Sequence, residues 1–345
     1  MKNLIAAILF ILSAFFASGQ AYYNDSREDV LNAMQRNMNH RVHIAAEKIT
    51  SVQTFGYKRD NPVGSLMYES KYDSRGNITD WITYKQGKVK SHNSNTYDDS
   101  SRVTQFAYYK GNSKLKVMSV NIYDKAGNEV EQDYYWKNPK IITSKIIKIY
   151  DKTNNITEAK TFDKKGILVS RIEYTYYDDG SKKRTTQYSD KGKVLRVWNF
   201  DCNPVGKLQA KKFKDTSKIC VHYETDKDGN PIKIKEEYKG EKGGGMYGKT
   251  IRSVSKFDKN NNLVDAADYN LNGKQLSHWS ATYNKSGKIA EYIIYKDGTE
   301  LVDSRTTYTY NSDGNVEESL IYKQSAVPVF SRKYVYISSM VSPGK

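Results

Sequence analysis

The stretch Tyr72-Asp73-Ser74-Arg75-Gly76-Asn77 decides how this chain is built. It returns as Tyr123-Asp124-Lys125-Ala126-Gly127-Asn128 and, with Asn in place of Asp, as Tyr310-Asn311-Ser312-Asp313-Gly314-Asn315. The aromatic ends a strand. The Asp or Asn can accept a hydrogen bond from a backbone N–H two residues on, which starts a turn. The Gly three positions later can take φ > 0 without a Cβ penalty. Together they specify a type I turn closed by a left-handed residue, a common hairpin link.

The motif organises the chain outward from residue 72. Turn starts at Asp73, Asp98, Asp124 and Asp151 follow at intervals of 25, 26 and 27 residues. Lys85-Gln86-Gly87, Lys110-Gly111-Asn112 and Lys137-Asn138-Pro139 fall near the middle of those intervals and read as second turns. The repeat is therefore a hairpin. Strand alternation agrees: Glu173-Tyr174-Thr175-Tyr176 and Thr307-Tyr308-Thr309-Tyr310 put both tyrosines of each on one face. Short strands with short links pair antiparallel, which predicts an all-β chain: one long meander of about 20 strands. Its repeating hairpin is about 25 residues long. The expected outline is an open or spiralling single sheet over residues 47–337.

Composition fits a thin, wet sheet. Of 345 residues only 38% are hydrophobic, and 29 Tyr outnumber 10 Phe. Mean hydropathy is −0.77. A compact two-layer core draws instead on Leu, Ile, Val and Phe. The formal charge is +16. Because the basic residues are spread along the whole sequence, they read first as a coat for solvent-facing strands and sheet edges. Specific nucleic-acid binding is not expected.

The motif resembles the YD repeats of the Rhs and teneurin families, on Tyr308-Thr309-Tyr310-Asn311-Ser312-Asp313-Gly314-Asn315 and Tyr174-Thr175-Tyr176-Tyr177-Asp178-Asp179-Gly180. The resemblance covers roughly residues 60–325. Short hairpin repeats of exported Bacteroidetes-type proteins and of the antitoxin-like hairpin class look similar. The resemblance implies stacked hairpins. In Rhs and teneurin proteins much longer arrays close into hollow shells, in Rhs around a toxin domain. This sequence shows no toxin segment, and about ten hairpins are expected to be too few to close.

Before the array, Met1–Gly19 has a basic start, an apolar run from Leu4 to Phe16 and small residues after it, the pattern of a secretory signal peptide. The run is shorter than the roughly 20 residues a membrane-spanning helix needs. The chain is expected to be exported to the periplasm or beyond, with no transmembrane anchor. Residues 20–46 carry one short amphipathic helix, on which Val30, Met34 and Met38 recur at i+4. On such a helix His40, His43 and Glu47 approach one face, but a metal site needs a fourth ligand, so no metal is expected. The tail 338–345 is expected to fray.

Candidate chemistry is sparse. Cys202 and Cys220 are the two cysteines. An oxidising compartment favours their bridging. A strand read between them would hold the Cα atoms about 23 Å apart, beyond the roughly 7 Å a disulfide allows. The bridge is the favoured reading and requires residues 202–220 to be irregular. Gly243-Gly244-Gly245 is followed by no Lys-Ser/Thr and reads as a loop, not a phosphate cradle. His92, His222 and His278 lie in different hairpins, and Glu236-Glu237 and Glu317-Glu318 point to opposite faces. Nothing here composes an active site, and no cofactor is expected. The expected function is a non-catalytic exported scaffold that binds an unidentified protein or envelope glycan. The alternative is a glycan-binding module using Trp81, Trp136, Trp198 and Trp279 as stacking platforms, against cross-strand aromatic packing. An immunity-type partner rests on fold analogy alone.

Overall fold

The computed structural model describes residues 38–58, 61–178, 180, 182–199, 216–238, 251–270, 272–324 and 326–339. A helix, α1 (residues 38–46), precedes the strands. The first seven strands are β1 (Ile49–Lys58), β2 (Asn61–Tyr72), β3 (Ile78–Lys85), β4 (Lys88–Tyr97), β5 (Val103–Lys110), β6 (Lys114–Tyr123) and β7 (Glu129–Trp136). Then come β8 (Ile142–Tyr150), β9 (Ile156–Asp163), β10 (Leu168–Tyr176), β11 (Lys182–Ser189), β12 (Val194–Asn199), β13 (Thr216–Thr225) and β14 (Pro231–Tyr238). The last are β15 (Ile251–Phe257), β16 (Leu263–Asn270), β17 (Gln275–Tyr283), β18 (Ile289–Tyr295), β19 (Val302–Tyr310), β20 (Val316–Tyr322) and β21 (Phe330–Ser338). The expected signal peptide, the segment to residue 37 and the glycine run lie outside the described residues. So does Cys202, and with it the expected bridge to Cys220 in β13.

All 21 strands belong to one sheet, the expected hairpin meander. Its two ends meet, however. β1 pairs with β2 on one side and with β21 on the other, from Ser51↔Ile337 to Lys58↔Phe330. The open or spiralling outline expected from so few hairpins gives way to a ring in which every strand has two ladder neighbours. One pairing is parallel, β12 with β13, through Val197↔Thr216, Trp198↔Ser217 and Asn199↔Lys218. The parallel pair is what lets this ring close. Strands that alternate in direction around a ring must be even in number, and an odd ring needs one parallel neighbour pair. Among the described strands closure leaves no sheet edge, so lysine there has no edge to guard. A ring of this strand number encloses a lumen wider than side chains fill.

Register assigns the two faces. Directly opposed residues share a face. Ser70↔Trp81, Trp81↔Asn93, Asn93↔Tyr108, Tyr108↔Val117 and Val117↔Trp136 therefore lie on one side. Most strand ion pairs occupy the other side, among them Lys145–Glu131 at 2.5 Å, Arg171–Glu173 at 3.1 Å and Lys256–Asp265 at 3.2 Å, whereas Lys148–Glu129 lies on the first. Among the described residues few apolar side chains are buried, and four of them are Ala at mid-strand: Ala107, Ala159, Ala267 and Ala281. Ala107 sits between Ser94 and Met118, and Ala281 opposite Tyr292. Larger neighbours cover each from across the ladder, so cohesion comes from the ladders and cross-strand pairs rather than a central core.

The organising motif works as a closed hydrogen-bond circuit. In the first copy Asp73 Oδ1 accepts from the backbone N–H of Arg75 and of Asn77, at 2.9 Å each. Oδ2 accepts from Asn77 Nδ2 at 2.8 Å. The Gly76 N–H donates to Asp73 O, and the Asp73 N–H to Asn77 O, at 3.0 Å each. The same circuit recurs at Asp124, Asp226 and Asp258. These bonds stabilise the ionised form and hold the Asp124, Asp226 and Asp258 carboxyls below the ordinary 3.8.

The motif's aromatic closes the other side of the repeat. A hairpin is tied by its loop at one end and frays at the other. There Tyr97 donates from its hydroxyl to Ile78 O at 2.7 Å, Tyr123 to Val103 O at 2.9 Å and Tyr176 to Ile156 O at 2.7 Å. Tyr283, Tyr310 and Tyr336 do the same to Leu263 O, Ile289 O and Val316 O. In each case the acceptor opens the neighbouring strand. At the tyrosine the ladder to the following strand shifts by one residue, and the extra residue (Thr104, Val130 or Glu317) lies on that following strand.

Helix α1 lies over the turn rim beside the seam. Ile44 is buried, and His43 Nε2 donates to Asn315 Oδ1 at 2.7 Å. Gly76, at φ +76, meets α1 so closely that an added Cβ would stand 2.1 Å from Arg41 O. At Gly287 (φ +73) a Cβ meets open space. Gly287→Ala should therefore cost only left-handed strain, about 1 kcal/mol. Gly76→Ala adds a backbone collision and should cost roughly 2–4 kcal/mol. Urea midpoints of the two variants check this; equal losses would mean that α1 does not press on Gly76.

Candidate functional surface

Register puts all four tryptophans on one face. Trp81 and Trp136 are joined by the ladder path above, and Trp198 follows through Tyr174↔Thr185↔Trp198. Trp279 connects back across the seam, beginning with Ala281↔Tyr292, Tyr292↔Thr306 and Tyr308↔Ser319. Ser319↔Arg332, Thr54↔Tyr334 and Thr54↔Tyr68 complete the path. Trp81 is 41% exposed, and the other three are half-buried. They share a face but do not form a row. They stand on β3, β7, β12 and β17, at least four strands apart, which at about 4.8 Å per strand is roughly 19 Å or more.

Each tryptophan instead has a local partner. Trp81 packs on Tyr68, with ring centres 5.8 Å apart, and Trp279 on Tyr292 at 5.2 Å. Lys137 Nζ lies over Trp136 at 5.6 Å, and the Arg196 guanidinium over Trp198 at 5.3 Å. Cross-strand aromatic packing thus accounts for Trp81 and Trp279.

The ionic face carries two constellations that the sequence reading passed over. His92 Nε2 lies 2.6 Å from Asp80 Oδ1 and its ring stacks on Tyr109, with centres 5.6 Å apart. His278 Nε2 lies 2.8 Å from Asp265 Oδ2 and stacks on Tyr295 at 4.2 Å. The signal was a recurrent spacing: Asp, then His 12 or 13 residues on, then Tyr 17 further. In both, the carboxylate sits on the preceding strand and the Tyr on the following one, so the triplet laces three strands. Ser280 Oγ bonds Tyr295 Oη at 3.0 Å. The carboxylate and the stacked ring together orient each imidazole.

The α1 residues do not converge. His43 binds Asn315, whereas His40 turns its ring edge to Tyr72, with centres 6.3 Å apart. Burial, and then the neighbouring His43, lower the His40 pKa. Among the described residues no three His, Cys, Asp or Glu side chains gather to hold a metal. No helix among them is long and apolar enough to cross a membrane.

No family model matches the chain, and no curated protein does. Among solved structures it is similar to a porin-like protein from Bacteroides uniformis, with 6% identity and a TM-score of 0.31 over 84% of this chain and 97% of that one. It is similar at 9% identity and a TM-score of 0.26 to a porin-like protein from Bacteroides vulgatus, over 84% of this chain and 98% of that one. A third likeness is to the Photorhabdus luminescens Tc holotoxin pore, at 10% identity and a TM-score of 0.21. That match covers 83% of this chain but only 19% of the toxin chain. Scores this low carry no argument about what the chain binds.

Proposed function

We propose that the chain is an exported, non-catalytic barrel of YD-type hairpins that offers its surface to a protein partner in the cell envelope or outside the cell. The observation that carries this reading is how its polar side chains are used. The motif carboxylates close turns, the motif tyrosines clamp strand ends, and Asp80, His92, Asp265 and His278 lace neighbouring strands. The chemistry-bearing residues build the wall. What the fold then offers is area: a long ring with two differentiated faces.

A membrane-spanning wall needs an outward apolar band about 25 Å tall. One face here carries Lys145, Lys160 and Arg171 at mid-strand, and the other Ser70, Asn93 and Thr185. We therefore read the barrel as lying outside the bilayer core.

Affinity capture from envelope extracts tests the proposal, run in parallel with the intact protein and a variant ending at Pro328. A specific polypeptide held by the intact ring and lost with the variant is the expected result. Recovery of nothing above background by the intact ring would count against it. The glycan reading is favoured by one observation, the exposure of Trp81 on the tryptophan face. It predicts that Trp81→Ala weakens retention on an envelope-glycan column about tenfold or more, at about 1–3 kcal/mol for one stacking contact. Unchanged retention removes it.

A further inference from the structure

The spread of basic residues along the sequence hides an arrangement that the fold creates. Turns alternate between two rims. On the rim carrying the opening motif, turns read Asp-Ser-Arg-Gly-Asn, Asp-Asp-Ser-Ser-Arg and Asp-Lys-Ala-Gly-Asn, with acids and bases mixed. The opposite rim differs. Its three consecutive turns after β3, β5 and β7 hold six lysines and no acid: Lys85, Lys88, Lys110, Lys114, Lys137 and Lys140. All six are exposed, and none has an acidic partner within ion-pair distance among the described residues.

These hairpin ends stand side by side. Lys85 opposes Lys88, and Lys110 opposes Lys114. The Gly111 N–H donates to Lys90 O at 2.9 Å, and the Lys137 N–H to Lys116 O at 3.1 Å. Between them lies an open depression of about 580 Å³ lined by Lys85, Lys88, Lys90, Lys110 and Lys114 with Gln86. Desolvation first, and then Lys114, Lys137 and Lys110, lower the Lys116 pKa, as expected where cations crowd without counter-charge.

A second feature of the same arc is apolar. Ile141 and Ile167, in the turns after β7 and β9, are 53% and 58% exposed. Ile167 closes the Asp163 turn through its N–H to Asp163 Oδ1 at 3.0 Å. The matching position is Asn77, Arg102, Asn128 and Asn155 in the first four turns of the other rim. In those four turns the side chain at this position also bonds the Asp, a bond Ile167 gives up, so turn chemistry gives no reason for an aliphatic.

We propose that this arc of the rim is a docking surface for an anionic phospholipid membrane. The depression would take phosphate head groups, and Ile141 and Ile167 would enter the interface beside them. A soluble polyanion would satisfy the lysines and leave the two isoleucines in water, which is why a lipid surface is the better fit. The inference does not depend on a protein partner for the barrel.

Cosedimentation tests it, with the purified protein carrying the same N-terminus in every variant. Vesicles of phosphatidylcholine alone are compared with vesicles also containing phosphatidylglycerol. The wild type should favour the anionic vesicles, and added salt should erase the preference. Replacing Lys85, Lys88, Lys110 and Lys114 by Gln should lower the preference roughly a hundredfold. A matched variant with Lys125, Lys152, Lys227 and Lys285 on the other rim replaced by Gln has the same net charge and should keep it. I141S with I167S should weaken binding to anionic vesicles about tenfold. Circular dichroism shows that each variant is folded. Equal loss in the matched variant, binding of polyphosphate without vesicles, or equal binding to both vesicle types would each overturn the proposal.

Discussion

A protein carrying Gln53→Cys and Val335→Cys should cross-link its first strand to its last. The two positions are directly opposed in the β1–β21 ladder. Residues opposed in an antiparallel pair stand about 4.5–5.5 Å apart at Cβ, near the reach of a disulfide. They are also 282 positions apart in sequence, so no local contact could join them. Peptide mapping without reduction should find the joined pair in most molecules, and the loop-closure model puts the stabilisation at about 5 kcal/mol as an upper bound. The variant ending at Pro328 should behave in the opposite way. Without β21, β1 and β20 each present an unpaired row of N–H and C=O groups. Light scattering should then show self-association absent from the intact chain, and hydrogen exchange should show β1 losing protection. Absence of the cross-link together with unchanged protection of β1 would mean that the sheet is open.

Closure is also where the sequence was least legible. The turn circuit could be read from Asp, Gly and Asn because those residues act within five positions of one another. Strand alternation gave the hairpins for the same reason. Whether the last strand meets the first depends on summed strand tilt and register, which no short window records. The parallel β12–β13 pair, on which closure turns, follows residues 200–215 rather than a motif. The tyrosine was readable as a strand end but not as a clamp. Its acceptor lies 19 to 21 residues back, beyond the reach of a short window. The lysine arc was invisible for a related reason. Lys85, Lys110 and Lys137 are evenly spaced in sequence, and even spacing looks like dilution until alternate turns fall on one rim. The tryptophans were correctly read as strand residues, but their distance around the ring was not available from spacing alone.

The clamps should also make the barrel alkali-labile. The hydroxyls of Tyr97 and Tyr336 give up their protons only at about 12, against an ordinary 10.0, chiefly because burial disfavours the phenolate. Asp73 adds to this at Tyr97, and Tyr72 at Tyr336. Tyr84 is also pushed up to about 12, by desolvation and by its bond to Glu69. A group whose pKa is raised by folding holds its proton more tightly in the native state. Its contribution is therefore complete below pH 10 and drains away as the pH rises from 10 to about 12. At full value such a difference is about 3 kcal/mol, and solvent screening at the rim leaves about 1 kcal/mol for each clamp. Tyr72, Tyr123, Tyr308 and Tyr310 shift the same way, so the losses accumulate around the ring. The turn aspartates act at the opposite limit. Their lowered pKa values give stability that is present above 3.8 and lost as the pH falls through their native values. Unfolding followed by circular dichroism should show a plateau through neutral pH, with a steep alkaline limb opening near pH 10. Tyr336→Phe separates the causes. It should cost about 1 kcal/mol at neutral pH through the lost bond to Val316 O. It should also make the alkaline limb shallower, because one phenol no longer titrates. A limb as steep as that of the wild type would place the alkaline weakness somewhere other than the clamps.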